Sequence, residues 1–126
     1  MGSTTHANQR IHGVRVTGVL ITDAQLLRTA GNPPHAYLDL TIQPEVGLPY
    51  HARMDIGTDA IEHMRAEGLM PALRKSALVS LGAQGMAAPR TDHGHAVHQL
   101  LCAFGLVLLQ PPPQQRAKGA GVPHAV

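Results

Sequence analysis

Eight side chains in this sequence have the chemistry to engage a polyanion that carries planar rings. Arg15, Arg53, Arg74, Lys75 and Arg90 are cations, Tyr37 and Tyr50 are rings with a polar tip, and His51 is a further donor. Cations displace condensed counterions from phosphates, so contacts made through them weaken as salt rises. A base stacked on a ring is worth about 1–3 kcal/mol whatever the base. The same cations also suit any solvated surface, and the same rings pack at strand ends or subunit interfaces. Placement decides between these readings.

Other chemistries find less support. Asp92, His93, His95 and His98 invite a metal site, since imidazoles two apart on a strand share a face. His98 falls on the opposite face, however, and no neighbouring Cys or Glu completes four ligands; no metal and no cofactor are expected. The chain has no Gly-rich phosphate loop, no nucleophile elbow and no carboxylate pair at a telling spacing. Cys102, within a long apolar run, reads as a buried and inert small hydrophobe. An enzyme is not expected.

The elements that must position these residues begin with His35 to Ile42. Ala36, Leu38, Leu40 and Ile42 alternate with His35, Tyr37, Asp39 and Thr41, the pattern of a half-buried strand. A turn with two prolines and a glycine follows, and Tyr50 to Ile56 alternates again, Ala52, Met54 and Ile56 against His51, Arg53 and Asp55. An antiparallel pair results, with a wet face carrying Tyr37, His51 and Arg53. Tyr50 is in conflict: alternation puts it on the apolar side, so either a bulge at Pro49 frees it or the binding face is partly apolar.

Ile11 to Ile21 reads as a preceding strand, with Gly13 and Gly18 marking a bulge or tight bend. Asp23 to Pro34 reads as a connector. After Ile56 the period becomes helical: Asp59 with Glu62 fits a capping box, and Ile61, Met64 and Leu69 would form the buried stripe. Met70 to Lys75 adds one more turn. Ala77 to Ala83 is a strand, Gln84 to Gly94 a long loop carrying Arg90, and His95 to Leu109 the last strand, bent at Gly105.

At 126 residues the chain holds one domain, and with only Tyr37, Tyr50 and Phe104 as aromatics its core must be aliphatic. Residues 1–10 and 110–126 are polar or rich in Pro, Gln, Ala and Gly, and are expected to be disordered around a domain of residues 11–109. Met1 to Arg10 lacks the apolar core of a signal peptide and no apolar run reaches 18 residues, so the cytoplasm is expected. A net charge of +2 with nine histidines hints at an anionic partner. Three strands, a helix and two strands make the fold class all-β with one helix. This is the order of a five-stranded OB-fold, a Greek-key barrel with its helix between strands 3 and 4.

From Val14 to Leu109 the sequence also resembles the bacterial-type single-stranded DNA-binding proteins. The carriers are Val16-Thr17-Gly18-Val19-Leu20 leading to Asp23, then Ala36-Tyr37-Leu38-Asp39-Leu40-Thr41-Ile42, Tyr50-His51 with Ile56-Gly57, Leu73-Arg74-Lys75-Ser76-Ala77-Leu78-Val79, and Arg90-Thr91-Asp92. The resemblance implies an OB-fold, binding of single-stranded DNA without sequence preference in replication or recombination, and assembly as a homodimer or homotetramer. Arg15, Arg53, Arg74, Lys75 and Arg90 would then meet phosphates, with His51 beside them, and Tyr50 and Tyr37 would stack bases. The family usually presents several Trp and Phe side chains; here Ile56 replaces the second aromatic, and the acidic, Phe-ended tip is missing. Those departures favour an alternative: an OB-fold interaction module similar to primosomal replication proteins, docking to replication proteins or to itself with weak or no DNA binding. Assembly has its own motive in Leu100 to Leu109, ten uncharged residues whose alternate side chains must point outward.

Overall fold

The computed structural model describes residues 13–92 and 94–114; the expectations for residues 1–12, for His93 and for the tail from 115 onward lie outside them. Six strands and one helix follow in the order β1 (Val14–Leu20), β2 (Gln25–Arg28), β3 (Ala36–Gln43), β4 (Tyr50–Gly57), α1 (Ala60–Leu69), β5 (Leu78–Asp92) and β6 (His95–Gln110). A single 3-10 turn at Met70–Ala72 follows α1. The architecture is mostly β with one helix, as expected. No helix of the described residues is long and apolar enough to cross a membrane.

The strands form one ring-like sheet in the order β1-β5-β6-β4-β3-β2, with β3 also returning to β1. All pairings are antiparallel except β4 with β6, which run parallel where Tyr50 meets His98 and His51 meets Gln99. The ring closes where Val19 and Leu20 of β1 meet Gln43 and Ile42 of β3. Gly18 makes that approach possible. A Cβ at this position would lie 2.2 Å from the Gln43 carbonyl oxygen, a distance no side chain can occupy.

Inside the ring, Ala36, Leu38, Leu40 and Ile42 are all buried, as their alternation requires. Leu20, Val79 and Leu81 meet them from the other side, and Leu73 caps the interior from the turn after α1. Removing one such leucine costs about 2–5 kcal/mol, because the cavity relaxes only in part. Backbone bonds fix the cap: Ala24 N donates to Leu73 O, Leu20 N to Ala77 O and Ser76 N to Leu20 O.

Four expectations are corrected. The connector from Asp23 to Pro34 contains β2, which pairs with β3 from Gln25↔Asp39 to Arg28↔Ala36. Four residues are too few for alternation to register, so the sheet has six strands rather than five. The loop expected from Gln84 to Gly94 is strand through Asp92, paired to β6 as far as Asp92↔His95. Its small residues and Pro89 argue for a loop locally, but β6 supplies a complete partner. Pro89, which has no N–H to donate, sits in the irregular stretch between Ala87 and Arg90.

The buried stripe of α1 is also different. Asp59 caps the helix, accepting from the N–H groups of Ile61 at 2.7 Å and Glu62 at 3.3 Å, worth about 1 kcal/mol. Yet Ile61 and Met64 are 62% and 69% exposed, and the helix buries Ala66 instead. A small residue lets the helix lie close to the ring, and His63 Nε2 anchors it to the Gly57 carbonyl at 2.7 Å.

Finally, Cys102 is exposed, with φ 52°. It and Gly105, at φ 65°, reset the alternation of β6. Leu100 is buried, and Ala103, Leu106 and Leu108 pack on the core, while Leu101, Phe104, Val107 and Leu109 stand outside at 44–47% exposure. At the far end Gln110 still pairs with Leu78 and Pro112 is buried, so strand order continues past Leu109.

Candidate nucleic-acid interface

The outer side of β3 and β4 gathers half of the eight residues singled out from the sequence. Register places Tyr37 opposite Asp55, Asp39 opposite Arg53 and Thr41 opposite His51. The long β5–β6 hairpin then brings Arg90 in from a distant part of the chain, its Nη2 3.5 Å from His51 Nδ1. Tyr37, His51, Arg53 and Arg90 thus form one cluster.

Asp39 holds that cluster together. One carboxylate oxygen lies 2.6 Å from His51 Nε2 and the other accepts from Arg53 Nη2 at 3.1 Å. On its other side His51 places Nδ1 2.8 Å from Gln99 Oε1 of β6. The imidazole is therefore clamped between Asp39 of β3, 12 residues before it, and Gln99 of β6, 48 residues after it. The Arg53 guanidinium lies 5.9 Å from the Tyr37 ring centroid, a cation–π contact of about 0.5–1 kcal/mol at an exposed site. His35 packs on Tyr37, ring centroids 4.8 Å apart, and bridges to Asp55. The face has cations, but each has a carboxylate or an imidazole against it.

Tyr50 takes the position that strict alternation gives it. It is half-buried, packs on the core and stacks on His98 with ring centroids 5.0 Å apart and planes at 24°. The stack fills the joint where β4 and β6 run parallel, and His98 Nδ1 has no hydrogen-bond partner there among the described residues. One face of Tyr50 is thus already taken by a ring.

The remaining cations lie elsewhere. Arg74 Nε is 3.3 Å from Asp23, whose other oxygen accepts from the Lys75 backbone N–H at 2.8 Å. Among the described residues the Lys75 ammonium has no acidic partner. Arg15 is spent on structure: Nη1 donates to Ser80 Oγ at 2.7 Å and Nη2 to the Gly105 carbonyl at 3.1 Å. It belongs to the outer surface of β1, β5 and β6, apart from the Tyr37 cluster.

Sequence reasoning missed Asp39, Gln99 and His98 as parts of this site. Asp39 was visible on the wet side of its strand, but its pairing with Arg53 and His51 depends on cross-strand register. Gln99 and His98 carried no local signal, since only the parallel β4–β6 contact makes them neighbours of His51 and Tyr50. Among the described residues no three His, Cys, Asp or Glu side chains come together to hold a metal ion. No family model matches the chain, and no curated protein and no solved structure matches it either.

Proposed function

We propose that the chain is an OB-fold protein that binds single-stranded DNA with little dependence on sequence, as a non-enzymatic partner in replication or recombination. The observation that carries this reading is the circuit of the ring. Setting β2 aside, β1-β3-β4-β6-β5 closes on β1, and in chain order the helix falls between β4 and β5, the third and fourth of these strands, which matches the path of an OB-fold. In that fold oligonucleotides lie across the second and third strands, here β3 and β4. The β5–β6 hairpin supports the same reading by carrying Arg90 to that surface. Arg53, Arg90, Arg74 and Lys75 would meet phosphates; Tyr37, and the free side of Tyr50, would take bases.

Fluorescence anisotropy of a labelled mixed-sequence single strand at two salt concentrations tests this. Binding is expected at low salt, with log K falling by about 0.7 per phosphate contact for each unit of log salt. No binding at low salt, or binding indifferent to salt, sinks the proposal.

A second reading draws on two other observations. Asp39 and Asp55 offset the cations of the β3–β4 face, and β6 exposes Leu101, Phe104, Val107 and Leu109 in one stripe. Together they favour an OB-fold interaction module, assembling with itself as a homodimer or homotetramer or docking to replication proteins. The two readings are compatible, since assembly would bring several weak DNA-binding faces together.

A further inference from the structure

Between the β1–β2 connection, β3, the entry to β4 and the start of β6 lies an open cleft of about 840 Å³, within the range that holds a small ligand. Its lining differs from what a phosphate requires. No Arg or Lys reaches it, and its carboxylates, Asp23 and Asp39, are both acidic. Arg53 and Arg74 pair with those carboxylates from outside the lining, so a phosphate inside would find no Arg or Lys of its own. Besides the His51 and His95 imidazoles, its polar groups are Thr22, Gln25, Thr41 and Gln43. Gln43 is spent on the Pro44 and Gly47 carbonyls, while Thr22, Gln25 and Thr41 show no side-chain hydrogen bond among the described residues. Gln25 stands opposite Asp39 across the β2–β3 ladder, and Thr41 is the next outward residue of β3. Leu48 and Val97 wall the cleft with apolar surface, and no Phe, Tyr or Trp lines it.

Among the described residues the only aromatic rings here are the imidazoles of His51, held by Asp39 and Gln99, and His95. Most of what the cleft offers is therefore hydrogen bonding to an edge. Each oxygen of Asp39 has one polar partner already, Asp23 Oδ1 accepts the Lys75 N–H and Asp23 Oδ2 faces Arg74, and a carboxylate oxygen has a second lone pair to offer. Such acceptors suit an exocyclic amine. Cytosine and adenine present one, whereas thymine presents two carbonyl oxygens and a single ring N–H.

We propose that this cleft receives the hydrogen-bonding edge of an amino-bearing base of the bound strand and disfavours thymine. The inference rests on the single-strand reading above and adds to it a mild base preference located away from the phosphate contacts. The preference is expected to be roughly tenfold, the lower part of the discrimination that one well-placed acceptor pair provides.

The experiment compares oligo-dC, oligo-dA and oligo-dT of equal length by anisotropy competition at two salt concentrations. Oligo-dC and oligo-dA should bind roughly tenfold tighter than oligo-dT. Salt should weaken all three alike and leave their ratio unchanged, because the base edge carries no counterions. Thr41→Val with Gln25→Ala should bring the ratio toward one without altering the salt slope; Gln25→Ala alone, at an exposed strand position, gives the same direction if the double variant folds poorly. Equal binding of the three, or a preference for oligo-dT, overturns the cleft assignment and leaves single-strand binding standing. A ratio that both variants leave intact also overturns it. Absence of binding to all three overturns both readings.

Discussion

The outer face of β3–β4 and the outer face of β6 differ in how their surplus is handled. On β3–β4 the polar residues answer one another: Asp39 takes His51 and Arg53, and His35 takes Asp55. On β6, Leu101, Phe104, Val107 and Leu109 remain 44–47% exposed, even though the Phe104 ring lies over Gly82. The polar face is close to electrically balanced, so on the proposed reading attraction for a polyanion would come from Arg90 at its rim and from Lys75 away from it. The apolar face has no balance to strike. Burying it gains about 25 cal/mol per Å², and a second copy of the chain offers a matching stripe through two-fold symmetry. On the reading proposed above, recognition would fall to one side of the ring and assembly to the other.

The seam that closes the ring is the most sensitive place to break it. Gly18→Ala would drive a Cβ against the Gln43 carbonyl where β1 meets β3. A loss of about 3 kcal/mol is expected, the upper end for overpacking, read as a lower denaturant midpoint. An unchanged midpoint would mean that the β1–β3 closure does not hold the ring.

Leu101→Lys addresses the apolar face alone. Light scattering should show the wild-type assembly replaced by monomers, and single-strand affinity should fall about 100-fold as the benefit of linked sites disappears. A wild-type monomer at micromolar concentration would remove assembly from the account altogether.

Asp39→Asn sharpens the polar face instead. Removing the shared carboxylate is expected to cost about 1.5 kcal/mol of stability, because it supports hydrogen bonds to two cation-forming groups. In exchange, single-strand affinity at low salt should rise severalfold, with a steeper salt slope, as Arg53 is released toward phosphate. Weaker binding together with an unchanged slope would show that Arg53 works only when Asp39 orients it.

The smallest effect belongs to Cys102→Gly. A non-glycine residue at positive φ costs about 1–2 kcal/mol, and glycine gives back part of the relief through its freer unfolded chain. A gain of about 0.5 kcal/mol is expected in chemical denaturation under reducing conditions. A loss would indicate that the Cys102 side chain, though exposed, packs usefully beside Leu101.

How much of this was legible in the sequence varies with range. The β3–β4 pair was readable to within a residue, because strict alternation over eight positions has few other physical solutions. The Asp59 cap was readable for the same reason, its partners being two and three residues away. The α1 stripe was readable only at Leu69, which packs on the core: Ile61 and Met64 satisfy helical spacing but stay exposed, and the helix buries Ala66. Tyr50 was readable in direction, and its apparent conflict dissolved once His98 was seen to cover it.

By itself the sequence determined the strands that alternate, the aliphatic core set, the cap at Asp59 and the identity of the residues able to meet an anion. Each of these depends on neighbours within a few positions, where periodicity and propensity act directly. Only the tertiary structure decided that Arg90 joins His51, that Arg15 is spent on Ser80 and Gly105, that Asp39 neutralises the face it lies on, and that β5 continues through Pro89. Those outcomes depend on cross-strand register and on the parallel meeting of β4 with β6, contacts between residues tens of positions apart, and no local pattern encodes which distant partner a side chain will face.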